Sequence, residues 1–330
     1  MPIKKLWVQN FKSIKDLRLD CKRVNIFIGE PNTGKSNILE AVGLLSHVCH
    51  GAIKAFVRLE VMTDLFYDRI LDDPLIVGFD DKKLEVRFGN GRFHGFLIKK
   101  RENMEDIHHN VFRYDYLGGE STNPHQDLKI FKFYRFGRLT EFKNRRSEFL
   151  QPPDGNNLLS VVMTRKRLKK IFSDLFRKFK YRPVFRPEEG KIEILKELED
   201  DIILSLPYSL ASETLQRLVF YLAAMYSNKK SILTFEEPEA HAFPFYTKYL
   251  AERIAMDKNE NQYFIVTHNP YFLTSILQKT LSSQVAIFAT YFENYETKVR
   301  SLSKRKKEEI LDMEEDVFFN IDSFLGKRTE

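Results

Sequence analysis

Residues Gly29-Glu30-Pro31-Asn32-Thr33-Gly34-Lys35-Ser36 carry the spacing G-x-x-x-x-G-K-S. Glycines at both ends let a loop curl until its backbone N–H groups point inward at phosphate oxygens. The apolar run Val24 to Ile28 leads into the loop, and Ile38, Leu39, Val42, Leu45 and Val48 follow it at helical spacing. A helix N-terminus behind the loop adds partial positive charge. Lys35 is placed to reach the β- and γ-phosphates of a nucleoside triphosphate, and the Ser36 hydroxyl to ligate Mg²⁺. Gly29, Asn32, Thr33, Gly34, Lys35, Ser36 and Asn37 are therefore the expected nucleotide-binding residues.

A second set of groups follows an apolar strand, Ser231 to Phe235, as Glu236-Glu237-Pro238-Glu239. Two adjacent carboxylates beside a metal and a triphosphate have separate tasks. The first, Glu236, is expected on the metal's water shell, and the second, Glu237, as the base that activates the attacking water. A third strand, Tyr263 to Thr267, ends at His268, with Asn269-Pro270 opening the next helix. Parallel strands deliver their C-terminal ends to one sheet edge, where ligands bind. That edge is expected to hold His268 beside Glu237 and the γ-phosphate.

The elements that must do this positioning are legible as pattern. Strands alternate with helices over the last third: a helix at 212–227, a strand at 231–235, a helix at 242–256, a strand at 262–266, a helix at 270–281 and a strand at 284–292. That order predicts a parallel sheet covered on both faces. Residues 75–136 read as strands, with a hairpin turn at Gly89-Asn90-Gly91. Residues 157–180 carry one helical pattern whose apolar face holds Leu168, Ile171, Phe172, Leu175, Phe176 and Phe179. Along its second half and just past its end, from Arg165 to Arg182, nine positive side chains stand against the single acid Asp174. Such a face is expected to meet DNA, RNA or an acidic partner, or to be a solvated surface. Arg135, Arg138, Lys143, Arg145 and Arg146 would add to it.

Composition sets the bounds. The chain has 330 residues, 43% hydrophobic and 30% charged, with a net charge of +7. This excludes a disordered chain. No apolar run approaches the roughly 18 residues of a membrane helix, and the start, MPIKKLWVQNFKSIKD, is not a secretory signal. Two cysteines supply neither a disulfide framework nor a zinc site. A cytoplasmic protein with no membrane contact is expected. His47 and His50, flanking Cys49, and the pair His108-His109 lack partners at metal-ligand spacing.

The three pieces, in this order, resemble an ABC-type ATPase of the branch that includes RecF, SMC-type heads and the ATPase part of OLD (overcoming lysogenization defect) proteins. Asn10-Phe11-Lys12-Ser13-Ile14 resembles that branch's N-terminal strand and turn. Glu236 to His241 resembles its Walker B and D-loop, and Val266 to Pro270 its switch-histidine segment. The usual loop has Asn where this chain has Pro31, and Asp is commoner than Glu236.

The resemblance implies an α/β fold: a P-loop NTPase of ABC type, with a mixed sheet, a β-rich N-terminal lobe over 1–136, a compact, partly helical insertion over 137–210 and a third lobe over 211–330. It implies ATP and Mg²⁺ as cofactors, with Lys12 and Ser13 joining the nucleotide site. It also implies a signature serine that contacts a second subunit's nucleotide in trans. Ser212 holds that place as the N-cap of its helix, and the glycine expected next is absent, since Glu213 runs into Thr214. Gln151 and Gln126 are candidates for the family's Q-loop glutamine.

The expected function is ATP hydrolysis in a homodimer or larger homo-oligomer that controls nucleic-acid processing in antiphage defence or DNA repair. The dimer interface would hold Ser212 and His241 of one subunit against Asn32 and Thr33 of the other. The alternative is a slowly hydrolysing, ATP-gated scaffold that sequesters a toxin or nuclease. About 60 residues follow His268, too few for the nuclease domain that OLD proteins append, so a separately encoded effector is expected.

Overall fold

The computed structural model describes residues 3–101, 105–198, 202–313 and 317–325. In chain order the first elements are β1 (Lys5–Phe11), β2 (Ile14–Asp20), β3 (Val24–Gly29), α1 (Lys35–His50) and the short α2 (Ile53–Phe56). There follow β4 (Leu75–Phe79), β5 (Lys82–Gly89), β6 (Arg92–Lys99), β7 (Ile107–Tyr114), β8 (Glu120–Thr122) and β9 (Phe131–Tyr134). The middle holds α3 (Leu158–Met163), α4 (Lys166–Arg177), β10 (Tyr181–Arg186), β11 (Lys191–Glu197) and β12 (Ile203–Pro207). The last third is α5 (Glu213–Ser227), β13 (Ile232–Glu236), α6 (Pro244–Ala255), β14 (Gln262–Val266), α7 (Pro270–Lys279), β15 (Val285–Glu293), β16 (Glu296–Ser301), α8 (Lys304–Met313) and α9 (Ile321–Leu325).

Two sheets enclose α1. One is antiparallel and seven-stranded, in the order β2-β1-β4-β5-β6-β7-β8. The other has six strands in the order β16-β15-β3-β14-β13-β9. In it β15, β3, β14, β13 and β9 run parallel and β16 adds antiparallel at the edge. The predicted parallel sheet is therefore closed on one side by a hairpin strand of opposite sense.

The strands of this sheet are apolar on both faces, as burial on both sides requires. Phe27, Phe264 and Phe288 point toward α1 and the antiparallel sheet, into a core with Ile38, Val42 and Leu45. Val24, Ile26, Ile28, Phe235 and Ile265 point the other way, into a core shared with α5, α6 and α7.

The middle block departs from its pattern. A single helix was expected over 157–180. The chain instead breaks at Thr164 and Arg165, where Arg165 turns extended at φ −124°. Its guanidinium donates to the carbonyls of Ser147 (2.6 Å) and Glu148 (2.5 Å). Phe179, expected in the core, lies beyond the end of α4 and is 48% exposed. The basic run from Arg165 to Arg182 is thus one helix only over 166–177, because Lys180 precedes and Arg182 lies within β10. After α4 a separate antiparallel sheet, β10-β11-β12, leads into α5.

Candidate functional site

The loop between β3 and α1 is shaped by close approach. Gly29 has φ +154°, and a Cβ there would lie 2.2 Å from Thr290 Oγ1. Gly34 has φ +86°, and its Cβ would lie 1.9 Å from Thr297 Oγ1. No other residue type fits either position, since both space and backbone exclude a side chain. Asn32 takes φ +62°, a conformation Asn tolerates.

Hydroxyls brace the loop from behind. Thr33 Oγ1 donates to the Glu30 carbonyl at 2.8 Å and sits 2.7 Å from Thr290 Oγ1. Asn37 Nδ2 donates to Ser13 Oγ at 2.7 Å, and Ser13 Oγ lies 2.7 Å from Thr297 Oγ1. Ser13 therefore binds both Asn37 and the β15–β16 hairpin. Lys12 turns to Glu40 of α1 and donates to the Arg58 carbonyl at 2.6 Å.

Lys35 opens α1 and is buried. Its Nζ donates back to the carbonyls of Gly29 (2.9 Å) and Glu30 (2.5 Å). Burial lowers its pKa to about 8, against the opposing pull of Glu237 and Glu30. The first N–H groups of a helix have no partner within it, so the start of α1 presents donors, a cation and the Ser36 hydroxyl together.

β3, β14 and β13 are adjacent and parallel, so their C-terminal ends share this edge. Glu236 ends β13 and pairs with Arg135 at 3.3 Å. Glu237 follows at φ +42°, in a turn pinned by its N–H to the Val266 carbonyl at 3.0 Å. His268 follows β14, with Nε2 3.7 Å from Glu237 Oε1. Burial and then Lys35 lower the His268 pKa, so the imidazole is neutral at pH 7. Lys35, Glu237 and His268 thus stand within electrostatic reach of one another.

Beneath them lies a residue whose role sequence reasoning left open. Glu239 is 4% exposed and accepts the Thr267 hydroxyl, which in turn accepts the Asn269 N–H at 3.0 Å. Burial, with a contribution from Glu237, pushes its pKa up to about 7. Its second oxygen has no hydrogen-bond partner. The carboxyl ties the turn after β13 to the turn after β14, and so holds Glu237 and His268 on common ground. Arg135 was also missed, having been read only as part of the surface patch. It is turned inward onto Glu236 and onto Glu40 at 3.5 Å.

The remaining expectations distribute as follows. Ser212 stands at the N-cap position of α5 and is exposed, but its side chain makes no capping hydrogen bond. Thr214, two residues on, donates to the His241 carbonyl at 2.8 Å, linking α5 to the turn after Glu237. Gln151 donates to the His50 carbonyl at the far end of α1, and Gln126 precedes β9, so neither lies at the phosphate edge. His47 is fully buried, with Nδ1 2.5 Å from the Leu44 carbonyl.

Two family models adjoin along the chain: "AAA ATPase domain" over residues 1–132 and "AAA domain, putative AbiEii toxin, Type IV TA system" over residues 132–274. Together they span the phosphate loop, the Glu236–Glu237 turn and His268. Residues 1–274 are thus matched throughout by AAA ATPase domain models. The fold is that of the SMC head. An SMC head bound to the C-winged helix domain of ScpA is 17% identical, covering 94% of this chain and 100% of its own at a TM-score of 0.56. The Smc head domain with an extended coiled coil bound to the C-terminal domain of ScpA, from Pyrococcus furiosus, is 15% identical, covering 94% and 98% at 0.51. No curated protein matches the chain. Among the described residues no helix is long and apolar enough to cross a membrane.

Proposed function

We propose that this protein hydrolyses ATP with Glu237 as general base and uses the bound nucleotide to join two copies of the chain. Joining would control nucleic-acid processing in antiphage defence or DNA repair, with a separately encoded effector. The observation that carries the hydrolytic reading is the convergence of Lys35, Glu237 and His268 on one sheet edge. The biological setting is supported by the toxin–antitoxin description of the matched family model and by the partner-bound SMC heads of the same fold.

The residues present fit the nucleotide and its metal. The loop has no room for a Cβ at Gly29 or Gly34. Ser36 and Glu236 supply the hard oxygen donors that Mg²⁺ takes. When bound, Mg²⁺ neutralises charge on the β- and γ-phosphate oxygens. Lys35 exchanges its two loop carbonyls for phosphate oxygens. The start of α1 donates N–H groups to them. Glu237 takes the proton from water as its oxygen bonds to the γ-phosphorus and the bond to the leaving ADP breaks. Neutral His268 donates to the γ-phosphate. Glu239 keeps the two turns in register throughout.

The basic face adds a nucleic-acid contact. Lys166, Lys169, Lys170 and Arg177 are exposed at spacings that share one face of α4. Arg167 and Lys178 are occupied elsewhere, over the rings of Tyr226 (4.0 Å) and Phe245 (4.7 Å).

Glu237→Gln tests the central step. The amide keeps the shape and loses the base, so turnover should fall about 10²–10⁴-fold while ATP stays bound. Wild-type turnover in this variant would move the base elsewhere, and loss of ATP binding would make Glu237 a binding residue.

A further inference from the structure

β9 and β13 pair in parallel with Tyr134 opposite Phe235. Arg135, which leaves β9, and Glu236, which ends β13, therefore face each other at the phosphate edge. Arg135 is fixed in place by its backbone N–H to the Pro153 carbonyl at 3.0 Å, and its guanidinium lies 5.0 Å from the ring centre of Phe133. From there it reaches two carboxylates, Glu236 at 3.3 Å and Glu40 at 3.5 Å. Their surroundings differ. Glu40 is wholly buried on α1 and also receives Lys12 and Arg58, the latter at 2.5 Å. Glu236 is 21% exposed, and among the described residues Arg135 is its only ion-pair partner.

We propose that Arg135 is a positioning residue that competes with Mg²⁺ for Glu236, so that metal arriving with ATP exchanges for the guanidinium on one carboxylate. This rests on the ATP reading of the same site. A partly exposed ion pair holds its partners weakly, so a divalent ion displaces it readily. Arg135 is not left unpaired by the exchange, because Glu40 remains as its second anchor. The device has two consequences. It lowers the affinity of the Glu236 side for Mg²⁺, and it leaves a cation beside the phosphates when the metal is missing. Arg135 thereby sets how strongly ATP binding depends on Mg²⁺.

Calorimetry with ATP in excess Mg²⁺ and with ATP in a chelator tests this through binding alone. The ratio of the two dissociation constants, chelator over Mg²⁺, is the readout. In Arg135→Ala the ratio should rise about 3- to 10-fold, in the lower part of the coupling found between residues in contact. Losing the competitor tightens the metal-bound complex, and losing the cation weakens the metal-free one. Arg135→Lys, which keeps the charge and the fold, should fall between. In a Glu236→Gln background Arg135→Ala should no longer tighten the metal-bound complex, so its effect on the ratio should shrink to the weakening of the metal-free one. An unchanged ratio in Arg135→Ala and Arg135→Lys, or an equal change with and without Glu236, would overturn the proposal and leave Arg135 a tether between β9 and α1. ATP binding by wild type that ignores Mg²⁺ would instead overturn the reading of the site and the exchange with it, whereas a flat ratio in a Mg²⁺-dependent wild type sinks the exchange alone.

Discussion

At the scale of single residues, charge placement decides what this site does at a given pH. Lys35 is held near pKa 8 by burial. Phosphate oxygens favour the charged amine, so ATP binding must raise that value and take up a proton above pH 8. Affinity should therefore fall as pH rises from about 7.5 to 9.5, by at most ~10-fold per unit. Calorimetry at pH 8.5 in two buffers of different ionisation enthalpy reads the uptake directly. Lys35→Ala should lose at least ~10-fold in affinity and show no uptake. Uptake that persists in the variant would assign the proton to another group. Most residues of this site were readable in advance because each ends a strand or opens a helix, where one residue type at one spacing has one chemical use. Arg135, Thr290 and Thr297 were not. A lone arginine after a strand and two threonines on a hairpin carry no spacing. Their roles exist only once distant strands are paired.

At the scale of elements, apolar period located strands and helices but could not see a break that preserves phase. Val161 of α3 and Leu168 of α4 are seven residues apart and enter the same core, so the pattern runs unbroken through Thr164 and Arg165. The break is made by polar atoms: Thr164 Oγ1 donates back to the Ser160 carbonyl at 2.9 Å, and Arg165 leaves for the loop before it. Strand β16 (Glu296–Ser301) escaped because its outward charges outnumber its apolar residues. α1 carries its own prediction. Burial pushes both His47 and His50 down to about 4. Their neutral forms are native, so their contribution to stability is full above the ordinary value of 6.5 and is lost as pH falls toward 4. Glu239 acts oppositely, its contribution being lost as pH rises from 4.5 toward 7. Two histidines outweigh one carboxyl, so thermal stability should decline on acidification through this window. Replacing both histidines by Gln should flatten the decline. A melting temperature indifferent to pH between 6.5 and 4 in wild type would contradict their burial.

At the scale of the whole molecule, Ser212 is exposed at the start of α5, and Thr214 ties that helix to the turn after Glu237. A second copy seated on Ser212 therefore touches an element joined to Glu237, the proposed base. Sedimentation of Glu237→Gln should show a larger assembly with ATP and Mg²⁺ than with ADP, since ligand that bridges two chains tightens both associations equally. Equal masses, with Ser212→Arg without effect, would place the oligomer contacts elsewhere. The basic face of α4 makes a separate claim. Nucleic-acid binding should weaken steeply with salt, and reversing Lys166, Lys169 and Lys170 to Glu should lower affinity and flatten the salt slope. ATP turnover without nucleic acid should stay near wild type. Equal binding by the reversed variant would leave α4 a solvated face.

The hairpin behind the phosphate loop bears on how the chain is made. Thr33 and Thr290 touch across 257 residues of sequence, and β3 finds both its neighbours, β14 and β15, in the last third. A ribosome adding about 5–20 residues per second therefore needs roughly 15–50 s between releasing the loop and releasing its support. During that interval the nascent chain carries the motif without the pocket. A chain stalled before residue 285 lacks the Thr290 hydroxyl that braces Thr33 and should hold ATP more weakly than the full chain.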